Sequence, residues 1–199
     1  MNSFLKIIQH NVLNWNSNKN SLIDNYLKIL PDLILINSHG LKSTELKIPG
    51  YKTCKLNYTE SLADGSVIAI NYNNLHKLYD DFETDIPAVE IQTNLGPIII
   101  SSTYLPPRRP YLPFTDIYRI LSNNIPTYII GDFNARHKHF ANSDNNTVGK
   151  SIIDLINQGK LIHIGPYFPT YLHTVTAVTT NTLPLSTTTI STGSRALSN

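Results

Sequence analysis

A chain of 199 residues, 41% of them hydrophobic, is long enough to bury a core and predicts one domain or one domain with a tail. The formal net charge of +2 allows contact with a phosphate backbone but does not require it. A single cysteine excludes an internal disulfide and a thiolate metal cluster, and the sequence has no run of about 20 apolar residues of the kind a membrane span needs. These features favour a nuclear or cytoplasmic protein with no membrane partner, and we expect a monomer.

The N-terminal part of the chain predicts a strand, a helix and a second strand. Residues 4–12 and 32–37 are candidates for buried strands, because each contains an apolar run, whereas residues 21–30 have apolar side chains at helical spacing. Ser21 is the expected N-cap of this helix, and Pro31 ends it. The order of these elements favours a right-handed crossover between two parallel strands.

Short strands dominate the middle of the chain, and they are predicted at residues 51–58, 66–72, 88–93 and 97–105, with a turn at residues 94–97. Two further helices are predicted over residues 115–124 and 151–160, on either side of a buried strand at residues 127–134. Many strands with few, scattered helices indicate an α/β sandwich.

The last 29 residues differ in composition from the rest of the chain. Thirteen residues of the segment 171–199 are Ser or Thr, and only Arg195 is charged. Such a segment buries too little apolar surface to offset its chain entropy. We therefore expect a domain over residues 1–170 and a disordered tail over residues 171–199, and out-of-frame translation explains the tail equally well.

The segment Gly131–Asn134 is the sharpest chemical signal in the sequence, because its polar residues directly follow an apolar strand. Asp132 and Asn134 are two residues apart, so they point to the same side if the strand continues. A carboxylate beside an amide suits a phosphodiester hydrolase, which must orient a water molecule and neutralise phosphate oxygens. An ordinary Asx turn at the end of a strand explains these four residues equally well.

Two other predicted strands also end in polar side chains. Asn11 closes the first strand, and Tyr104 closes the strand before Pro106 and Pro107. Each of these residues, taken alone, is more simply explained by the ordinary polarity of a strand end. Together with Asp132 they predict a common rim, by analogy with the ligand crevice outside strand ends in α/β folds.

An ordered series of motifs carries a resemblance to a known family: Asn11, Pro31-Asp32, Ile48–Tyr51, Asp64–Ser66, Tyr104–Pro107 and Gly131–His137. The series resembles the endonuclease/exonuclease/phosphatase superfamily. More narrowly, it resembles the targeting endonuclease domain at the front of jockey-like non-LTR retrotransposon (reverse transcriptase) proteins. Three further segments strengthen the narrower match, and they are Arg108–Pro110, Asn145–Gly149 and Gly165–Thr170. The resemblance covers residues 4–171.

The resemblance implies a four-layer α/β sandwich of the nuclease–phosphatase type that binds a divalent metal, Mg²⁺ or Mn²⁺, and nicks one DNA strand to prime reverse transcription. It implies that Asn11 helps to hold the metal and that Tyr104 donates a hydrogen bond to the scissile phosphate. It also implies that Asp132 orients the attacking water and that Asn134 contacts the phosphate. We expect the chain to act within a longer polyprotein that includes a reverse transcriptase.

Two departures from the family pattern bear on this expected activity. Ser38 stands where the family has a metal-binding Glu, and a hydroxyl is a poor Mg²⁺ ligand beside a carboxylate. His39 is adjacent, but it points to the other face if the strand continues, and imidazole suits Mg²⁺ poorly. The family's terminal Ser-Asp-His motif is absent, and no Asp follows Asp154. We therefore expect a fold truncated at its C-terminal end, and metal binding that is weak if it occurs.

The histidines at positions 137, 139 and 163 are most simply surface or rim residues. Three functions remain open from the sequence. The first is a retrotransposon DNA endonuclease with weak or absent activity, and the second is a catalytically dead DNA-binding or inert remnant of the same fold. The third is another branch of the superfamily, such as an abasic-site nuclease or a phosphatase, which the residues Arg108–Pro110 and Asn134–His137 disfavour.

Overall fold

The computed structural model describes residues 5–12, 14–41, 46–54, 65–73, 76–78, 86–107, 111–140, 142, 144–164 and 175–180. These residues form ten strands, three α-helices and a short 3-10 helix at Lys138–Phe140. The strands are β1 (Ile7–Asn11), β2 (Leu33–Asn37), β3 (Tyr51–Cys54), β4 (Ser66–Asn71), β5 (His76–Leu78), β6 (Ala88–Thr93), β7 (Gly96–Tyr104), β8 (Thr127–Asp132), β9 (Ile162–Ile164) and β10 (Val175–Thr180). The helices are α1 (Trp15–Ile29), α2 (Phe114–Leu121) and α3 (Thr147–Asn157).

The first sheet has four strands in the order β1-β2-β4-β3. β1 and β2 are parallel, as the strand–helix–strand order predicts, and α1 connects them. β4 runs antiparallel to both β2 and β3. All five residues of β2 are buried, which explains why its sequence is a continuous apolar run rather than an alternating one.

The second sheet has six strands in the order β5-β6-β7-β8-β10-β9. β7 and β8 are parallel and are joined through α2, whereas the other neighbouring pairs are antiparallel. The predicted turn at residues 94–97 forms the short hairpin between β6 and β7. Gly96 has a φ of +113°, which a residue with a side chain rarely adopts.

Three apolar clusters place the two sheets and the helices in four layers. One cluster packs α1 on the outer face of the first sheet, through Leu22 and Tyr26 against Ile34 and Ile36. A second lies between the sheets: Leu33, Leu35, Ile68, Ile70, Val89, Ile91, Ile98, Ile100, Tyr128 and Ile130. The third packs α2 and α3 on the outer face of the second sheet. The predicted α/β sandwich is therefore observed as helix, sheet, sheet and helices.

Helix α1 begins earlier than the sequence predicts. Asn14, not Ser21, is its N-cap, and the Asn14 side chain accepts a hydrogen bond from the backbone of Asn16 at 3.0 Å. Trp15 is buried, and its backbone N–H donates to the carbonyl of His39 at 3.0 Å. These tertiary contacts extend the helix toward the end of β2, which apolar spacing alone does not reveal.

Six residues of the segment that we expect to be a tail lie in a strand. β10 (Val175–Thr180) lies between β8 and β9 and pairs with both in antiparallel register. Ser/Thr-rich sequence forms a strand there because backbone hydrogen bonds to two neighbours replace those to water, and Val and Thr favour strands. The rest of the predicted tail, residues 171–174 and 181–199, lies outside the described residues. Among the helices that the structure describes, none is long and apolar enough to cross a membrane.

Candidate active site

The candidate site lies at one rim of the two sheets, where two parallel pairs of strands end. In the first sheet, Asn11 at the end of β1 is in register with Asn37 at the end of β2. In the second sheet, Tyr104 at the end of β7 is in register with Asp132 at the end of β8. Because parallel strands end at the same edge, each pair presents its last side chains together.

A hydrogen bond between side chains joins the two halves of this rim. The Nδ2 of Asn11 donates to the Oδ2 of Asp132 at 2.7 Å, although the two residues are 121 positions apart in the chain. Asp132 is only 3% exposed, so its carboxylate charge needs such donors to offset the loss of water. The structure thus brings Asn11, Tyr104 and Asp132 to one place, as the sequence predicts.

Asn134 reaches the site in a different way from the one that strand periodicity predicts. β8 ends at Asp132, and Asn134 has a left-handed φ of +46°, so strand alternation does not continue to it. Its backbone N–H donates to the Oδ1 of Asp132 at 3.0 Å, which is an Asx turn. Its side-chain Nδ2 donates to the carbonyl of Leu105 at 2.7 Å. The two interpretations of this segment are therefore compatible, because the Asx turn supplies a second donor to Asp132.

A close approach of backbones holds β8 against β7 directly beneath the site. A Cβ added to Gly131 would lie 1.7 Å from the backbone oxygen of Thr103, so no larger residue fits there without moving a strand. The backbone N–H of Leu105 also donates to the carbonyl of Asp132 at 2.9 Å. The second-sheet half of the rim is therefore fixed on both sides of Asp132.

A buried polar network centred on Asn37, the last residue of β2, connects the two sheets beside the rim. The Oδ1 of Asn37 accepts from the Nε2 of Gln9 at 2.6 Å. Its Nδ2 donates to the hydroxyls of Ser66 at 2.9 Å and Ser102 at 3.2 Å, and Ser102 belongs to the second sheet. Asn37 has no exposed surface, so these bonds decide whether its burial is tolerated.

Ser38 follows β2 immediately and is buried, with a left-handed φ of +54°. This conformation ends strand alternation, so the predicted orientation of His39 toward the opposite face does not apply. His39 is buried, and its Nδ1 accepts the backbone N–H of Leu41 at 3.1 Å. The ring therefore helps to order the loop that follows Ser38.

The donors at the rim fit a divalent cation only weakly. Within the described ranges, no group of three or more His, Cys, Asp or Glu side chains is placed to hold a metal ion. Asp132 supplies a carboxylate, while Asn11 and Ser38 supply neutral oxygens. Mg²⁺ is commonly held by one or two carboxylates together with water and phosphate oxygens, so this set suits a loosely held ion.

Three histidines that the sequence left as surface or rim residues surround Phe140. The ring centroids of His137, His139 and His163 lie 6.2, 5.4 and 4.9 Å from that of Phe140. His163 is buried, so its assignment to the surface or rim is wrong. Burial lowers the pKa of His163, and the charge of His139 lowers it further. Burial also lowers the pKa of His10, whose Nδ1 lies 3.2 Å from the Tyr26 hydroxyl.

Comparisons with known proteins agree with the resemblance that the motifs of the sequence indicate. A family model described as "Endonuclease-reverse transcriptase" matches residues 98–195, which include Tyr104, Asp132 and Asn134. The RNA-directed DNA polymerase from mobile element jockey of Drosophila funebris is 24% identical over 145 residues, or 70% of this chain. The chain resembles the endonuclease domain of jockey-like retrotransposon proteins. The match spans 16% of the length of the Drosophila protein.

Similar solved structures confirm the fold. The endonuclease domain of TRAS1, a telomere-specific non-LTR retrotransposon, is similar with a TM-score of 0.71 at 16% identity, over 87% of this chain and 84% of that one. An AP endonuclease from Archaeoglobus fulgidus is similar with a TM-score of 0.53 at 14% identity, over 89% of this chain and 87% of that one. The four-layer α/β sandwich of the nuclease–phosphatase type is therefore confirmed.

Sequence reasoning missed the buried network centred on Asn37. The only local signal was a polar residue at the end of an apolar strand, which usually marks a strand end at the surface. Its partners lie 28, 29 and 65 residues away in the chain. Ser102, a hydroxyl residue within the predicted buried strand at residues 97–105, is the signal that could have indicated a polar partner inside the sandwich.

Proposed function

We propose that this endonuclease-type domain binds DNA and hydrolyses one of its strands in a reaction that depends on Mg²⁺ or Mn²⁺, and that its activity is weak. The hydrogen bond from Asn11 to Asp132 carries the proposal. It places a buried carboxylate at the junction of the two sheets, with a donor from each side holding its oxygens. In its retrotransposon setting, the nick would supply the 3′ hydroxyl that primes reverse transcription.

Asp132 is the residue that we assign to the attacking water. Its two oxygens accept the Nδ2 of Asn11 and the backbone N–H of Asn134, so the orientation of the carboxylate is fixed. A fixed carboxylate orients a water molecule and accepts its proton as the water oxygen bonds to phosphorus. The bond from phosphorus to the 3′ oxygen breaks, and that oxygen takes up a proton.

We assign phosphate contact to Tyr104 and Asn134. Tyr104 is the register partner of Asp132 and is half-buried at the rim, so its hydroxyl suits a hydrogen bond to a phosphate oxygen. Because the Nδ2 of Asn134 already donates to Leu105, its amide is oriented before DNA arrives. Groups held in advance contribute more to transition-state stabilisation than groups that must reorganise.

Asp132 and Asn11 are the residues that would hold the metal, whose chemistry is to neutralise charge that develops on the phosphate. Ser38 adds only a hydroxyl where the resemblance calls for a carboxylate. A site with one carboxylate binds Mg²⁺ weakly, and loss of members of one catalytic unit costs on the order of 10³-fold or more in rate. This is the reason for proposing weak activity.

Nicking of supercoiled DNA by the purified chain tests the proposal. We expect slow conversion to the open circle with Mg²⁺ or Mn²⁺, no conversion in EDTA, and loss of conversion in Asp132→Ala. Asp24→Ala is the matched control, because Asp24 is an exposed carboxylate on α1. Equal nicking by Asp132→Ala, or nicking in EDTA, contradicts the proposal.

A second candidate function is DNA binding without catalysis, and the serine at position 38 favours it. In that case the chain binds DNA in gel-shift assays with the same affinity in Mg²⁺ and EDTA, and no condition yields nicked product. Binding that is lost at high salt identifies contacts to the phosphate backbone. Failure to bind DNA at all contradicts both candidates and leaves an inert remnant or a different branch of the superfamily.

A further inference from the structure

The loop after Asp132 is attached to the N-terminus of α3 by one side chain, that of Asn146. Its Oδ1 accepts the backbone N–H of Arg136 at 2.9 Å and that of Gly149 at 2.8 Å. Its Nδ2 donates to the backbone carbonyl of Asn134 at 2.7 Å. The backbone N–H of Asn146 also donates to the carbonyl of Arg136 at 2.9 Å. Asn146 thus bonds to the loop at two residues and caps the helix with the same amide.

The helix and the loop are in direct backbone contact at this point. A Cβ added to Gly149 would lie 2.1 Å from the carbonyl oxygen of Arg136, so only glycine lets α3 approach this closely. The approach brings the N-cap side chain within hydrogen-bond distance of Asn134. Asn146 and Gly149 therefore act as one unit, the glycine by allowing contact and the asparagine by bonding across it.

Asn134 is the residue through which this attachment reaches the site. Its carbonyl is held by Asn146, its Nδ2 by Leu105, and its N–H donates to the Oδ1 of Asp132. A non-glycine residue with φ of +46° keeps that conformation only where its surroundings hold it. Removing the bond at the Asn134 carbonyl frees one side of the residue whose backbone N–H donates to Asp132.

We propose that Asn146 is a positioning residue for Asp132, acting through the backbone of Asn134 rather than touching DNA. The expected effect on rate rests on the proposed endonuclease function. The hydrogen bond from Asn146 to the Asn134 carbonyl does not depend on that function. Capping alone would need only the Oδ1, as at Asn14, whose side chain accepts the N–H of Asn16 at the start of α1. The Nδ2 bond to Asn134 is the additional feature that makes Asn146 part of the site's support.

The variant Asn146→Asp separates positioning from capping. Aspartate is as good an N-cap as asparagine, so the bonds to Arg136 and Gly149 remain. The donor that faces the Asn134 carbonyl becomes an oxygen, so that bond is lost. The matched control is Asn14→Asp, which makes the same chemical change at the N-cap of α1. Asn146→Ala removes the cap and the positioning bond together.

We expect kcat for nicking to fall on the order of 10- to 100-fold in Asn146→Asp, with KM for DNA nearly unchanged, because a small displacement of a catalytic group costs rate more than binding. Asn14→Asp should keep the wild-type kcat. Hydrogen exchange of the backbone N–H of Asn134 should speed up by on the order of 10-fold in Asn146→Asp, since the hydrogen bond from this N–H to Asp132 opens more often. Exchange of amides in the middle of β8 should not change.

Wild-type kcat in Asn146→Asp overturns the positioning role, and so does a rise in KM alone. If Asn146→Ala is destabilised while Asn146→Asp matches wild type in rate and exchange, Asn146 is only a helix cap. If the wild-type chain does not nick DNA, the proposed function fails. Hydrogen exchange of the backbone N–H of Asn134 then still decides whether Asn146 holds the backbone of Asn134 in place. Unchanged exchange there overturns the inference.

Discussion

The part of the rim that the second sheet contributes and the part that the first sheet contributes differ in the side chains that they supply to the candidate site. In the second sheet, Asp132 has a donor on each oxygen, and the loop behind it is bonded to α3. In the first sheet, Asn11 contributes its amide, but Ser38 occupies the place where the resemblance calls for a carboxylate. The difference teaches that hydrogen bonds and backbone contacts fix the second-sheet half of the rim, whereas the first-sheet half presents only neutral polar side chains there.

The largest effect on the free energy of unfolding is expected at Gly131, where the backbones of β7 and β8 are in contact beneath the site. Gly131→Ala should destabilise the fold by more than about 3 kcal/mol, because the new Cβ overlaps the backbone of Thr103 and β7 must separate from β8. Gly159→Ala is the control, since it meets no atom within 4 Å but has a φ of +68°. It should cost about 1 kcal/mol. Urea unfolding measures both, and equal losses would contradict the importance of this strand contact.

The buried network centred on Asn37 should have the next largest effect on stability. Asn37→Ala leaves the amide of Gln9 and two serine hydroxyls without their partner, so we expect a loss of about 2 to 3 kcal/mol. Ser66→Ala removes one bond and should cost about 1 kcal/mol. If both variants unfold at the wild-type urea midpoint, the network does not hold the sheets together.

The hydrogen bond from Asn11 to Asp132, which joins the two sheets at the rim, should contribute less to stability. Asn11→Ala removes a donor to the Asp132 carboxylate, which predicts a loss of about 1.5 to 2 kcal/mol. Asn25→Ala, at an exposed position of α1, should change stability by less than about 0.5 kcal/mol. Thermal or urea unfolding distinguishes them, and equal values would mean that the halves of the rim are not coupled.

The smallest expected effect is the change in stability with pH that arises from His163. The pKa of His163 is lowered in the folded state, so the unfolded chain binds its proton more readily below the ordinary value of 6.5. Stability should therefore be full above that value and should fall as pH drops from it toward the lowered pKa. His163→Asn should show a flatter decline between pH 7 and 5 than wild type, with the His10 contribution retained. A steeper decline in the variant would reverse the assigned sign.

The strands were predictable where both faces of a sheet are buried. β2 and β7 each lie within one residue of the predicted bounds at either end, because burial forces their apolar runs. β6 has the predicted bounds for a different reason, because its apolar side chains are buried while Glu90 and Gln92 are not. The start of α1 was not predictable, because the backbone N–H of Trp15 is held by the carbonyl of His39, just after β2. β10 was missed because its stability comes from two neighbouring strands, and composition does not report them.

Some features of the candidate site were likewise predictable from the sequence, and others were not. Asp132, Asn11 and Tyr104 were found because each ends a strand, and strand ends are visible in the sequence. The Asn134 geometry was not found, since it depends on a left-handed turn and on the carbonyl of Leu105. Asn146 was visible only as part of a motif, and its bonds to residues 10 and 12 positions earlier needed the folded chain.

Our central proposal is that the first-sheet half of the rim lacks one metal ligand, and calorimetric titration of Mn²⁺ into wild type and Ser38→Glu tests it most directly. Ser38 is buried directly after Asn37, the register partner of Asn11, so we expect a carboxylate at position 38 to add a charged oxygen donor on the first-sheet side of the rim. Ser21→Glu is the control, because it adds the same charge at an exposed position of α1. We predict weak binding by wild type and Ser21→Glu, and affinity raised at least about tenfold, or 1.4 kcal/mol, in Ser38→Glu. Tight binding by the wild-type chain, or equal affinities in all three proteins, would contradict the account.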